Sequence, residues 1–445
     1  AVAERLPRLE AQALRTLGQV DEALAAYARG AEAAGSPAVK GRLAYEGARL
    51  ARKLNRVDAA TVGLLEVAVA HLHPTGEAKA RAWALWSLGF VAWRNGQLPT
   101  AERVWAQLIE QHPMAQDSSR RTYYERALYW QARAWAQMGR VEAARRQWRF
   151  VRDRFPYSYY AVLAHHRLPD GDVWASPAAS VEAEPPASVP LAHADAVWLW
   201  RLGLVRDARD TLRHRENLGA LDHSARQLLS AAYRARNDWY RSHWILQHHD
   251  PLDAPAVGAD RARWLAAYPR PFEKAVRHQA QAHGVDPLLI WAVMRQESGF
   301  RPRVGSPAGA LGLMQVLPAT AAGMARRLKE RRVPGPTALR RVWPNVHYGA
   351  AFLARLQRRY RGHLALTLAA YNAGPGHVDD WLERIGHLEA DAFVEAIPFD
   401  EARGYVRKVL RSHAAYRALY QPEAGPWDLP PPHGHIPGPA EVAER

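Results

Sequence analysis

Cysteine is absent from the 445-residue sequence. This excludes disulfides, cysteine zinc sites, thiol nucleophiles and cysteine-linked lipid anchors. Long apolar runs are absent too. No stretch approaches the length of about 18 residues that a membrane-spanning helix needs. No segment alternates polar and apolar residues over a strand length, so any strands are expected to be short and confined to the C-terminal part. Acidic residues are in the minority, 44 against 60 Lys+Arg, giving a net charge of +16 and a pI near 10.2. That excludes an acidic surface and suggests an anionic partner. The arginines are spread along the whole chain without a basic stripe or a recognised binding motif, so nucleic acid is not the expected partner. None of the 20 histidines stands in a His-Glu-x-x-His pattern. There is no phosphate loop and no dinucleotide fingerprint, so neither metal nor cofactor is expected. The remaining composition, 48% hydrophobic and 23% charged, is that of a globular chain. The sequence begins at Ala1 and not at Met, which suggests a processed form whose signal peptide is out of view.

One pattern recurs in the N-terminal third. It reads Leu17-Gly18-Gln19-Val20-Asp21, Leu54-Asn55-Arg56-Val57-Asp58, Asn95-Gly96-Gln97-Leu98 and Met138-Gly139-Arg140-Val141. Gly18, Asn55, Gly96 and Gly139 fall at intervals of 37, 41 and 43 residues, with looser echoes at Leu202-Gly203 and Asn237-Asp238. Periods of this length indicate stacked helix pairs. The Gly or Asn supplies the left-handed residue that ends one helix, and the alanines that follow let the next pack closely. The units resemble tetratricopeptide-type repeats. They serve as scaffold or as a binding surface, and the pattern leaves both open.

Composition then divides the chain. Residues 1–168 are expected to form the helical repeats. Residues 169–190, rich in Ala, Ser and Pro, are expected to be a linker or loop. Residues 191–267 resume helical patterning. Tyr268-Pro269-Arg270-Pro271 marks a boundary, and 268–421 is expected to be a separate domain that folds alone. Residues 422–445 are a Pro-rich tail expected to be disordered.

The chemistry sits in 268–421. Asp286-Pro287 opens a helix, with Asp as N-cap and Pro at the first helical position. Its apolar face runs Leu289, Ile290, Val293 and Met294, and one turn further lies Glu297, just before Gly299. A carboxylate at the end of an apolar face loses solvation and faces the negative end of the helix dipole, and both raise its pKa. Arg295, Arg301 and Arg303 oppose this. Either Glu297 is a general acid held protonated, or it is an ordinary solvated Glu in a frayed last turn. A glycine-rich loop follows, Gly305 to Gln315, whose Gln315 offers both donor and acceptor. Met314 is a cleft residue or core filling. A third piece, Ala370-Tyr371-Asn372-Ala373-Gly374, ends an apolar helix, where Asn372 points into a cleft or simply caps the helix.

Taken together, Glu297-Ser298, Ser306-Pro307-x-Gly309-Ala310-x-Gly312-Leu313-Met314-Gln315 and Ala370-Tyr371-Asn372-Ala373-Gly374 resemble the catalytic domain of soluble lytic murein transglycosylases. Pro302, Asn345 and the late runs Glu395-Ala396-Ile397-Pro398-Phe399 and Glu401-Ala402-Arg403-Gly404-Tyr405 are consistent with it. Phe155-Pro156-Tyr157-Ser158-Tyr159-Tyr160 is similar to the segment that closes the helical superhelix of the larger members. The resemblance implies a mainly all-α chain: a tetratricopeptide-like superhelix followed by a lysozyme-like catalytic domain. It implies a periplasmic enzyme that cleaves the β-1,4 bond between N-acetylmuramic acid and N-acetylglucosamine, leaving 1,6-anhydromuramoyl ends. Glu297 would be the catalytic acid and base. Ser306, Met314, Gln315, Tyr371, Asn372 and Glu395 would bind substrate, with Glu395 the candidate second carboxylate. Peptidoglycan strands are the implied partner, and the repeats are a candidate surface for cell-wall proteins. A hydrolytic muramidase on the same fold and a non-catalytic repeat scaffold with a sugar-binding domain are the alternatives.

Overall fold

The structure is a computed structural model that describes residues 2–112, 118–169, 191–249, 252, 256 and 258–422. Nearly all of the expected linker (170–190) and tail (423–445) lies outside the described residues. Among the described residues the fold is all-α. Twenty-three α-helices and one 3-10 turn are present, with no strand and only the isolated bridges Gly305–Leu311 and Leu311–Val316. The chain divides into two compact units. The first comprises Ala1–Asp153, Leu163–Asp170 and Glu395–Asp400; the second comprises Arg154–Val162, Gly171–Val394 and Glu401–Arg445.

The first unit is built from α1 (Val2–Thr16), α2 (Val20–Ala33), α3 (Pro37–Lys53), α4 (Ala59–His71), α5 (Ala78–Arg94), α6 (Leu98–Gln111), α7 (Ser118–Gln137) and α8 (Val141–Arg154). From α1 to α7 each helix packs on the next, and α1 packs on α3, α3 on α5 and α5 on α7. This is the contact pattern of stacked helix pairs. The residues expected to end the helices do so in the left-handed conformation: Gly18, Asn55, Gly96 and Gly139 have φ of 77°, 56°, 74° and 80°. Each is followed by a bond that spans the helix end, such as Gln97 N–H to Ala92 O at 2.9 Å, which satisfies a carbonyl the helix leaves orphaned. The core is aromatic. Trp86 stacks on Trp105 with centroids 5.6 Å apart, and Trp130 meets Trp93 edge-on at 4.8 Å. Gly89 lets α6 approach, because a Cβ there would lie 2.3 Å from Trp105 Nε1.

The second unit begins with α9 (Tyr159–His166), whose first residues it contains, and continues through α10 (Ala194–Arg201), α11 (Val205–Asn217), α12 (His223–Ala235), α13 (Trp239–His249) and α14 (Gly258–Ala267). Gly203 and Asn237 end α10 and α12 at φ 77° and 57°, so the repeat signal persists here. There follow α15 (Glu273–His283), α16 (Pro287–Glu297), α17 (Pro318–Arg327), α18 (Pro336–Leu339), α19 (Val342–Arg359), α20 (Leu364–Ala373), α21 (Pro375–Ile385), α22 (Ala390–Ala396) and α23 (Asp400–Tyr420). From Leu288 to Arg295 every residue of α16 is buried, as befits a helix enclosed by others. Asp286 caps it by accepting from Leu288 N–H at 2.8 Å. The same carboxylate meets His413 Nε2 of α23 at 2.6 Å.

The unit boundary differs from the expected one at 267/268. Residues 191–267 group with the segment that follows them. Arg295 donates to Ala267 O at 2.6 Å and its guanidinium lies over the Tyr268 ring at 4.1 Å. Arg261 donates to Leu419 O, and Tyr420 to Tyr268 O. These long-range contacts leave no local mark in the sequence. The 155–160 segment also departs from expectation. Tyr157 accepts from Ala256 N–H at 3.1 Å and its ring meets Trp264, and the whole of 155–160 belongs to the second unit.

Candidate active site

Glu297 is the last residue of α16. Ser298, fully buried, caps the helix and donates to Met294 O (3.1 Å) and to Leu313 O (2.8 Å). One hydroxyl thus joins the end of α16 to the glycine-rich loop. Gly299 follows at φ 56°. The loop is pinned from α19 by Asn345. Its Nδ2 donates to Leu311 O and Leu339 O and its Oδ1 accepts from Met314 N–H, all at 2.7 Å. Gly312 makes room for this amide, since a Cβ there would lie 2.4 Å from Asn345 Nδ2. Tyr371, from the end of α20, donates to Met314 O at 2.8 Å. Three elements therefore converge on a short run of loop backbone beside Glu297.

Burial pushes the Glu297 carboxyl from its ordinary value of 4.5 up to about 7. The neighbouring Tyr405 hydroxyl, from α23, favours the ionised form, and the Glu401 carboxylate adds to the upward push. Burial dominates because an ion without bulk water loses most of its solvation. The charge at Glu297 is felt in turn by Tyr371 and Tyr405, whose phenols are held well above their usual value by burial first and by Glu297 second. Both stay neutral hydrogen-bonding groups at any physiological pH. The expected counterweight from arginines is not realised. Arg295 is committed to Ala267 O and Gln247 Oε1. Arg301 lies over the Tyr240 ring at 4.1 Å. Neither they nor the exposed Arg303 contribute to the Glu297 shift.

The other expected site residues fare unequally. Tyr371 stands where its charge sensitivity to Glu297 requires. Ser306 is half-buried and its Oγ accepts from Ala310 N–H at 3.1 Å, closing its own turn. Gln315 adopts φ 48°, and its Nε2 donates back to Gly312 O at 2.8 Å. Asn372 is half-buried at the end of α20. The Met314 side chain is not a cleft lining: it is fully buried, with its sulfur packed where a Gly349 Cβ would stand. Its backbone, bound by Asn345 and Tyr371, is what bears on the site. Glu395 requires the larger correction. It is fully buried in the first unit, ion-paired with Arg126, whose guanidinium lies 3.5 Å from the centroid of Trp86. Its carboxylate is committed to Arg126 and shielded from solvent, which does not fit the expected contact with substrate. The second carboxylate near Glu297 is Glu401, exposed near the start of α23. The sequence names Asn345 and the run that holds Glu401 and Tyr405, but not the anchoring role of the first or the place of the other two beside Glu297. No group of three or more His, Cys, Asp or Glu among the described residues is placed to hold a metal ion.

A single raised carboxyl at a helix end, two neutral phenols and a glycine-rich loop on an all-α scaffold form a site with the chemistry of a general acid. Residues 274–394 match the Transglycosylase SLT domain family, so the likeness lies in the C-terminal part of the chain. A soluble lytic murein transglycosylase of Salmonella typhimurium is 36% identical over 151 residues, covering 34% of this chain and 23% of the relative. That of Escherichia coli K12 is 33% identical over 188 residues, covering 42% and 28%. The chain thus spans about a quarter of the length of these curated relatives. Among solved structures, the 70 kDa soluble lytic transglycosylase of Escherichia coli matches with a TM-score of 0.58 at 22% identity, covering 91% of this chain and 67% of that one. Its complex with bulgecin A gives 0.59 at 21% identity, with the same coverage. The fold is shared well beyond residues 274–394.

Proposed function

We propose that this chain is a peptidoglycan lytic transglycosylase, cleaving the β-1,4 bond between N-acetylmuramic acid and N-acetylglucosamine and acting in the periplasm. The observation that carries the reading is the Glu297 carboxyl, raised to about 7 within an SLT domain. At neutral pH half of it holds the proton that a leaving glycosidic oxygen needs. Glu297 donates that proton as the bond to the anomeric carbon breaks. The resulting carboxylate then takes the proton of the muramoyl C6 hydroxyl as its oxygen closes on the same carbon. One proton leaves Glu297 and one returns, and the product is a 1,6-anhydro ring. The nucleophile is carried by the substrate, so proximity replaces a second catalytic side chain. Burial keeps the acid protonated in the resting state; the Glu401 carboxylate adds to this and offsets positive charge on the opening sugar. Tyr405 and Tyr371 stay neutral and orient the carboxyl and the loop backbone beneath the glycan. The helix pairs of the first unit remain a candidate surface for the wall or its proteins.

The test is Glu297→Gln, which preserves shape but cannot donate and reclaim the proton. Turnover of purified sacculi should fall by about 10²–10⁴-fold with glycan binding retained. A variant keeping more than about a tenth of the rate would remove Glu297 from the chemistry.

A further inference from the structure

The C-terminal ends of α17 and α19 enclose a cavity of about 450 Å³ that the proposed cleavage does not use. Arg327 enters it from α17, and Arg355, Arg358 and Arg359 enter from α19. Asn345, which pins the candidate active-site loop, lies ten or more residues earlier on α19. At 1.5 Å per residue the cavity is on the order of 15 Å further along that helix. Arg359 is paired with Asp379 at 2.6 Å. Arg327, Arg355 and Arg358 have no carboxylate partner among the described residues. Glu330, whose charge is felt by His283 on the cavity wall, is committed to His347 Nε2 and the Tyr348 hydroxyl. Met324 and Ala351 give the cavity a buried apolar floor.

Asp379 answers only one of the four guanidinium groups, and the other three, left without acids of their own, repel one another. Arg355 is half-buried, and its pKa is lowered by burial first and then by Arg327 and Arg359. His283, also on the wall, is held below its usual value by burial, by His347 and by Arg358, and so is neutral at pH 7. An anion is the missing partner. A single carboxylate offers one charge and one fork. A phosphate monoester offers up to two charges on three terminal oxygens, and a phospholipid diester offers one charge on two terminal oxygens beside two ester oxygens, so either tetrahedral group can bridge several guanidinium groups at once. We propose that this cavity is a binding site for a phosphate group, carried by a soluble phosphate ester or by a phospholipid headgroup whose first carbons rest on the apolar floor.

The test uses the full chain. Calorimetric titration with inorganic phosphate should show saturable binding. Replacing Arg355→Ala together with Arg358→Ala should weaken it by at least about tenfold. The pair Arg206→Ala and Arg213→Ala, which removes the same charge from exposed positions on α11, should leave it unchanged. The single exposed substitution Arg358→Glu provides a second reading without touching the half-buried Arg355. Cosedimentation with phosphatidylglycerol vesicles against phosphatidylcholine vesicles distinguishes the sources. Phosphatidylglycerol binding that is lost with Arg355 and Arg358 assigns a lipid headgroup; phosphate binding without vesicle binding assigns a soluble ester. Acetate that binds as tightly as phosphate would overturn the proposal. So would equal losses from the two arginine pairs, or the absence of both phosphate and phosphatidylglycerol binding. Glu297→Gln should bind phosphate as the wild type does, so this outcome is independent of the cleavage reading.

Discussion

Replacing Glu297 by Gln should alter how stability depends on pH, and the structure fixes the sign. In the unfolded chain the carboxyl titrates near 4.5; in the fold it titrates at about 7. A carboxyl whose folded pKa is raised favours the fold while protonated. Its contribution is fully present below the unfolded value and is lost as pH rises through the folded value. The gap of about two and a half pH units corresponds to about 3 kcal/mol as an upper bound. Gln carries no such charge. Urea unfolding of both proteins should therefore give a gap that moves in favour of Glu297→Gln by about 2–3 kcal/mol between pH 5 and pH 9. Most of the change should fall between pH 5 and pH 8. The wild-type cleavage rate should fall over the upper part of the same window, as the acid loses its proton. A stability gap that stays flat across this range would refute the burial argument. A gap that moves the other way would mean that the ionised form is the one the fold favours.

Two further perturbations probe the frame around this carboxyl. Asn345→Ala strands one N–H and two carbonyls that are buried in the loop anchor. It should cost about 3 kcal/mol or more in urea unfolding and lower turnover more than binding, and a loss under 1 kcal/mol would contradict the anchor. A fragment of residues 269–422 loses Ala267 and Tyr268 from Arg295 and Tyr240 from Arg301. It should be less stable than a fragment of 192–422 by several kcal/mol or fail to fold, and equal midpoints in urea would restore the boundary at 267/268.

What could be read in advance follows from the range of the interactions. Helix ends are local, so Gly18, Asn55, Gly96 and Gly139 announced themselves, and each has the left-handed φ that its position demands. Glu297 was legible for the same reason: an apolar face, a helix end and a glycine lie within one turn of it. Glu395 and Glu401 were not separable by such reasoning. They stand six residues apart in one run, yet Glu395 to Asp400 groups with the first unit and Glu401 with the second. The choice between cleft residue and core filling for Met314 turns on Gly349, which makes room for its side chain and is distant in sequence. Tyr405 meets Glu297 only through the tertiary fold. Arg295 illustrates the same limit from the other side. Its place beside Glu297 in sequence suggested a counter-charge, yet its helix turns it toward Tyr268.

The most direct measurement is mass spectrometry of the fragments released from purified sacculi by the full chain. If the C6 hydroxyl is the nucleophile and Glu297 shuttles its proton, the muramoyl ends will be 1,6-anhydro, each lighter by one water than a hydrolytic product. They will resist borohydride reduction and be absent from digests with Glu297→Gln. Reducible muramoyl ends carrying an added water would contradict the account, since water and not the substrate would then be the nucleophile.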